Sequence, residues 1–121
     1  MSTILLVEPE PSLQRLYERD LAEDGDTVLT VGDSVDAVRE FETEHPDLVV
    51  IDLGPRPNDG LSIVERMLAL DRTVPILLNT TCRTYADDAL GWAVDGYVIK
   101  SSDTGELRSK VKELLAHQLE L

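Results

Sequence analysis

The sequence predicts a doubly wound α/β domain built on a five-stranded parallel sheet. Three observations carry that expectation. Five short runs rich in aliphatic and β-branched residues recur along the chain. Several are apolar on both faces, as strands sandwiched between two helical layers must be. The stretches between them place apolar residues at helical spacing, and the alternation of strand and helix signals is the pattern of right-handed β-α-β units.

In chain order, the first strand is Thr3–Val7 (TILLV), followed by a helix with Leu13, Leu16, Tyr17 and Leu21 on one face. Gly25 is a suitable stop for that helix. The second strand is Thr27–Val31, and its helix carries Val35, Val38 and Phe41 after Asp33 or Ser34 as N-cap. The third strand is Asp47–Ile51, followed by a helix with Leu61, Val64 and Leu68. The fourth is Val74–Leu78, and the segment Arg83–Ala93 after it has only a weak apolar stripe and contains Gly91. The fifth is Gly96–Ile99, and the last helix presents Leu107, Val111, Leu114 and Leu115 after Ser102 or Asp103 as cap.

The 121 residues suit one domain, 1–121. A hydrophobic share of 42% is enough for one packed core. The formal charge of −13, from 24 acidic and 11 basic residues, leaves no basic patch for phosphate backbones, so direct nucleic-acid binding is not expected. No apolar run approaches the roughly 20 residues of a membrane helix, and the N-terminus lacks the basic-then-apolar order of a signal peptide. The single cysteine, Cys82, excludes an internal disulfide and fits a reducing cytoplasm. His45 and His117 are read as surface residues, and Trp92 as a packing residue.

In such a fold all strand carboxyl ends reach one edge, where ligands bind. The residues that follow the apolar runs are Glu8, Asp52, Asn79-Thr80 and Lys100. Two carboxylates, a hydroxyl and an ammonium should therefore converge. That set suits phosphoryl chemistry: a carboxylate can attack phosphorus, a lysine serves as a point charge for phosphate, and a hydroxyl can donate to a phosphoryl oxygen.

The runs DLVVIDLGPRPNDGL, VPILLNTT and GYVIK, in this order and spacing, resemble the receiver domain of two-component response regulators. The resemblance covers nearly the whole chain. It implies a flavodoxin-like sheet of strand order 2-1-3-4-5 and a protein that is no enzyme beyond its own phosphotransfer and dephosphorylation. It implies that Asp52 is the phosphoacceptor, with Gly60 eight residues on in an Asp-Gly turn. Thr80 matches the switch hydroxyl, Tyr97 the aromatic that follows it, and Lys100 the pocket lysine. Glu8, Asp52 and the Gly54 carbonyl match the Mg²⁺ ligands. A sensor histidine kinase would be the phosphodonor. The partner would be a downstream protein or output domain, docking on the face of segment Arg83–Ala93, strand five and the last helix. That face also permits a homodimer.

The chain departs from the family at three places. The family places two adjacent acids after strand one; here Pro9 replaces the second, which should weaken Mg²⁺ binding, while Glu10 and Pro11 suit a helix start. Ser101 stands where a proline with a cis bond is usual, so a trans bond is expected. Asn79 puts an amide where the family usually has an apolar residue. Gly54 and Cys82 offer no carboxylate or amide to orient water, which implies slow loss of the phosphoryl group. Pro9 motivates the alternative, a phosphorylation-independent receiver fold acting as a protein-interaction module. An enzyme or flavin module is disfavoured. EPEPS lacks the glycines and hydroxyls of a phosphate loop, and Gly54 is not the second acid an aspartyl-phosphate hydrolase would need.

Overall fold

A computed structural model describes residues 2–52, 57–80, 94–100 and 103–119. Segment Arg83–Ala93, with Trp92, and also Gly54, Cys82 and Ser101, lie outside the described residues.

The strands are β1 (Thr3–Val7), β2 (Thr27–Val31), β3 (Leu48–Ile51), β4 (Ile76–Thr80) and β5 (Gly96–Ile99). They form one parallel sheet in the order β2-β1-β3-β4-β5, the expected reversal of strand order beside β1. The register aligns Val7 with Ile51, and Ile51 with Leu78, so the central strands finish level. The described helices are α1 (Pro11–Ala22), α2 (Ser34–Glu44), α3 (Pro57–Leu70) and α4 (Gly105–Leu119).

Pleat alternation divides the core in two. Leu5, Val7, Val49, Ile51, Ile76 and Leu78 face α2 and α3, and pack against Phe41, Val64 and Met67. Ile4, Leu6, Leu48, Val50, Leu77 and Val98 face α1 and α4, and pack against Tyr17, Leu21, Leu107 and Val111. The central strands are buried from both sides, which is why they read as continuous apolar runs.

Local signals set the helix ends. Glu10 is the N-cap of α1 and Pro11 its first residue, where the missing N–H is no loss. Beyond the helix, Gly25 takes φ +88° and its N–H donates to the Ala22 carbonyl, a geometry that favours glycine. Of the two candidate caps for α2, Asp33 does the work: its carboxylate accepts from the Asp36 N–H at 2.8 Å. Before the last helix, Asp103 accepts from the Gly105 N–H at 2.9 Å, and Ser102, the other candidate cap, lies outside the described residues. His45 is exposed and closes α2 in the left-handed region, φ 47°.

At the amino edge of the sheet, acids tie down strand starts. Asp26 accepts from the Ser2 N–H at 3.1 Å, Asp47 from the Thr3 N–H at 2.8 Å, and Asp95 from the Ile76 N–H at 2.8 Å.

Two expectations are corrected. Strand four begins and ends two residues later than its apolar run. Pro75 lends only its carbonyl, to Val49 N–H, and the ladder carries on through polar Asn79 and Thr80. The Asp59-Gly60 pair is not a separate turn but part of the first turn of α3, which starts at Pro57.

Candidate functional site

Glu8 and Asp52 each stand one residue beyond the aligned ends of β1 and β3. Backbone bonds carry the ladder that far: Glu8 N–H donates to the Val31 carbonyl at 3.0 Å, and Asp52 N–H to Val7 at 2.9 Å. Lys100 follows β5 in the same way, its N–H donating to the Thr80 carbonyl at 2.7 Å. The three functional groups are thus positioned by sheet geometry rather than by loops.

They meet at the Lys100 ammonium. Nζ lies 2.6 Å from Asp52 Oδ2 and 2.6 Å from Glu8 Oε1. The contact with Asp52 is a hydrogen bond, whereas Glu8 Oε1 is held by charge without a well-angled bond. The side chains are 10%, 12% and 1% exposed respectively for Lys100, Asp52 and Glu8, so the pairing takes place largely out of water. Among the described residues one ammonium thus faces two carboxylates. Burial alone would push the Lys100 ammonium down; its hydrogen bond to Asp52, its close contact with Glu8 and the charges of both outweigh that and hold it above its ordinary value.

The second oxygen of Glu8 turns to the loop. Oε2 accepts from the Glu10 N–H at 3.2 Å, the first backbone donor after Pro9. The Glu8 carbonyl accepts from Gln14 Nε2 at 2.5 Å, and Gly32 makes room for it, since a Cβ there would stand 3.3 Å from that nitrogen. Glu10 bonds Ser12 Oγ at 2.7 Å and serves the helix start rather than the pocket.

Thr80 ends β4 and is buried, 1% exposed. Tyr97, in the edge strand, is 46% exposed. Gly54 falls outside the described residues. Asn79 is 2% exposed, and among the described residues its amide nitrogen has no hydrogen-bond partner.

Two carboxylates converge on one cation, a donor pair whose chemistry would suit a hard divalent ion. Among the described residues no cluster of three acidic, histidine or cysteine side chains is present. Pro9 brings no third carboxylate to the pair.

Comparison with known proteins identifies the family of the chain. The family model for the response regulator receiver domain matches residues 4–112. The alkaline phosphatase synthesis transcriptional regulatory protein PhoP of Bacillus subtilis is 32% identical over 93% of this chain and 48% of its own length. The chain therefore spans about half the length of the curated relatives it matches. Among solved structures, the response regulator TrrA of Thermotoga maritima in complex with Mg²⁺-BeF superposes with TM-score 0.87 at 32% identity, covering 94% of this chain and 99% of that one. TrrA in complex with the histidine kinase ThkA gives TM-score 0.86 at 33% identity, covering 95% and 99%.

Proposed function

The chain belongs to the response regulator receiver domain family, and from that premise we propose that Asp52 accepts a phosphoryl group from a sensor histidine kinase. The observation that carries the reading is the Lys100 ammonium held 2.6 Å from Asp52 Oδ2 at the carboxyl edge of the sheet. An Asp52 oxygen attacks phosphorus and Lys100 offsets the charge on the phosphoryl oxygens. The Thr80 hydroxyl donates to one of those oxygens. Tyr97, half exposed at rest, follows Thr80 inward and alters the adjoining face for a partner. The change can be no larger than the extra interactions the phosphoryl group makes in the switched state.

Glu8, Asp52 and the Gly54 carbonyl are the groups that would hold Mg²⁺, with Pro9 weakening the site. The ion would neutralise charge between carboxylate and phosphoryl oxygens. TrrA, crystallised with Mg²⁺-BeF and also with a histidine kinase, supports both the cofactor and the donor. PhoP, a transcriptional regulator roughly twice as long, supports an output domain or a separate downstream protein. The domain extends over 1–121 and works in the cytoplasm.

Incubation with acetyl phosphate and Mg²⁺, followed by intact mass measurement, tests the assignment. One phosphoryl adduct on the wild type and none on Asp52→Ala is expected. No adduct at any Mg²⁺ concentration would overturn it. It would favour the second reading, a phosphorylation-independent interaction module, which Pro9 and the internal ion pairs of Lys100 motivate.

A further inference from the structure

Strand β1 shares its backbone groups between two neighbours. On the β3 side, the Thr3 and Val7 carbonyls accept from the Asp47 and Asp52 N–H groups. On the β2 side, the Ser2 carbonyl accepts from the Thr27 N–H, and the Glu8 N–H donates to the Val31 carbonyl. The Glu8 carbonyl faces this second side too. Stepping along both strands from Ser2–Thr27, the next donor in line for it would be the Asp33 N–H. But β2 stops at Val31 and Asp33 turns away to cap α2.

Gln14 of α1 takes that place. Its side-chain Nε2 donates to the Glu8 carbonyl at 2.5 Å. Gly32 keeps the approach open: a Cβ there would stand 3.3 Å from that nitrogen and 3.9 Å from the Glu8 oxygen. Pro9 raises the importance of the bond. The peptide unit between Glu8 and Pro9 has no N–H, so its carbonyl is the one polar group by which it can be held.

We propose that Gln14 is a positioning residue for the cation site: by holding the Glu8–Pro9 peptide it aims the Glu8 carboxylate at the ion shared with Asp52. The inference rests on the reading of Glu8 and Asp52 as Mg²⁺ groups. The direction in which a side chain leaves its Cα is set by the peptide planes on either side. Val31 fixes the plane before Glu8 and Gln14 the plane after it. Glutamate is long and loses much rotamer freedom when ordered, so a loose backbone would let its carboxylate wander. Partners that orient metal-binding groups are commonly worth 10–100-fold in metal affinity. The Gln14 bond is only part-buried and reaches the backbone rather than the carboxylate, which places it at the lower end.

The test is a Mg²⁺ titration by calorimetry of wild type, Gln14→Ala, Gly32→Ala and the double variant. Alanine is the best helix former, so Gln14→Ala leaves α1 sound. Gly32 does not have a positive φ, so its backbone admits alanine. Gln14→Ala is expected to weaken Mg²⁺ about tenfold. Gly32→Ala, which crowds the Gln14 amide, should weaken it in the same direction by a smaller factor. In the double variant Gly32→Ala should add no further loss, because the bond it disturbs is already gone. A merely structural effect of the two substitutions would add instead. Unchanged affinity in Gln14→Ala, or a Gly32→Ala loss that persists in the double variant, would overturn this inference alone. No Mg²⁺ binding by the wild type would instead overturn the reading of Glu8 and Asp52 as Mg²⁺ groups, and this inference with it.

Discussion

Lys100 and Glu8 lie in strands separated by two others, yet Nζ and Oε1 are 2.6 Å apart. Asp52 shares the same ammonium from the strand beside Glu8. Removing the lysine leaves two buried carboxylates facing each other. Lys100→Met should cost about 3 kcal/mol at neutral pH, measured by urea unfolding. Adding Glu8→Gln to Lys100→Met should recover part of the loss. A neutral-pH loss under about 1 kcal/mol would show that the ion pairs do not hold the sheet edge together.

The same ion pairs set an alkaline limit. The Lys100 ammonium is held above its ordinary value of 10.5 in the folded state. Its contribution is therefore fully present below that value and is lost as pH rises through the higher, folded one. Thermal stability should fall more steeply above pH 10.5 in the wild type than in Lys100→Met. Parallel alkaline limbs in the two proteins would contradict this.

At the opposite end of the scale, Asp20 titrates below its ordinary 3.8, chiefly because Thr104 Oγ1 donates to it at 2.6 Å, with Arg19 adding a further bond. The stabilisation is present above 3.8 and is lost as pH falls through the lower, folded value. Thr104→Val should move the Asp20 carboxyl titration upward in an NMR pH series. An unmoved titration would place the cause elsewhere.

Pro9→Asp should tighten Mg²⁺ binding by about tenfold or more in isothermal titration, by adding a third carboxylate beside Glu8 and Asp52. An unchanged affinity would mean that position 9 does not face the ion.

Capping is a local test of the fold. Asp33→Ala removes the carboxylate that accepts the Asp36 N–H and should cost about 1 kcal/mol in urea unfolding. Asp33→Ser should restore most of it; equal loss in both would point away from the cap.

The strands were readable because burial on both faces makes the runs 4–7, 48–51 and 76–78 apolar at every position, and the residues that follow the runs then pointed to Glu8, Asp52 and Lys100. Strand four shows where the reading fails. The ladder is made by backbone groups, so it runs past the apolar stretch through Asn79 and Thr80. Gly60 misled in the other direction: an Asp-Gly pair reads as a turn, but Pro57 just upstream starts a helix that takes it in. The sharing of one ammonium by Glu8 and Asp52 depends on how far a lysine leans across a strand, which no spacing along the chain reports. The same is true of Asn79, whose amide nitrogen has no hydrogen-bond partner among the described residues.

The three aspartates at the amino edge give the sheet a fixed foot. The Asp26–Ser2, Asp47–Thr3 and Asp95–Ile76 bonds tie β2 to β1, β3 to β1 and β5 to β4 at the lower rim. Each of these three pairs would lose its tie if it slipped by one residue.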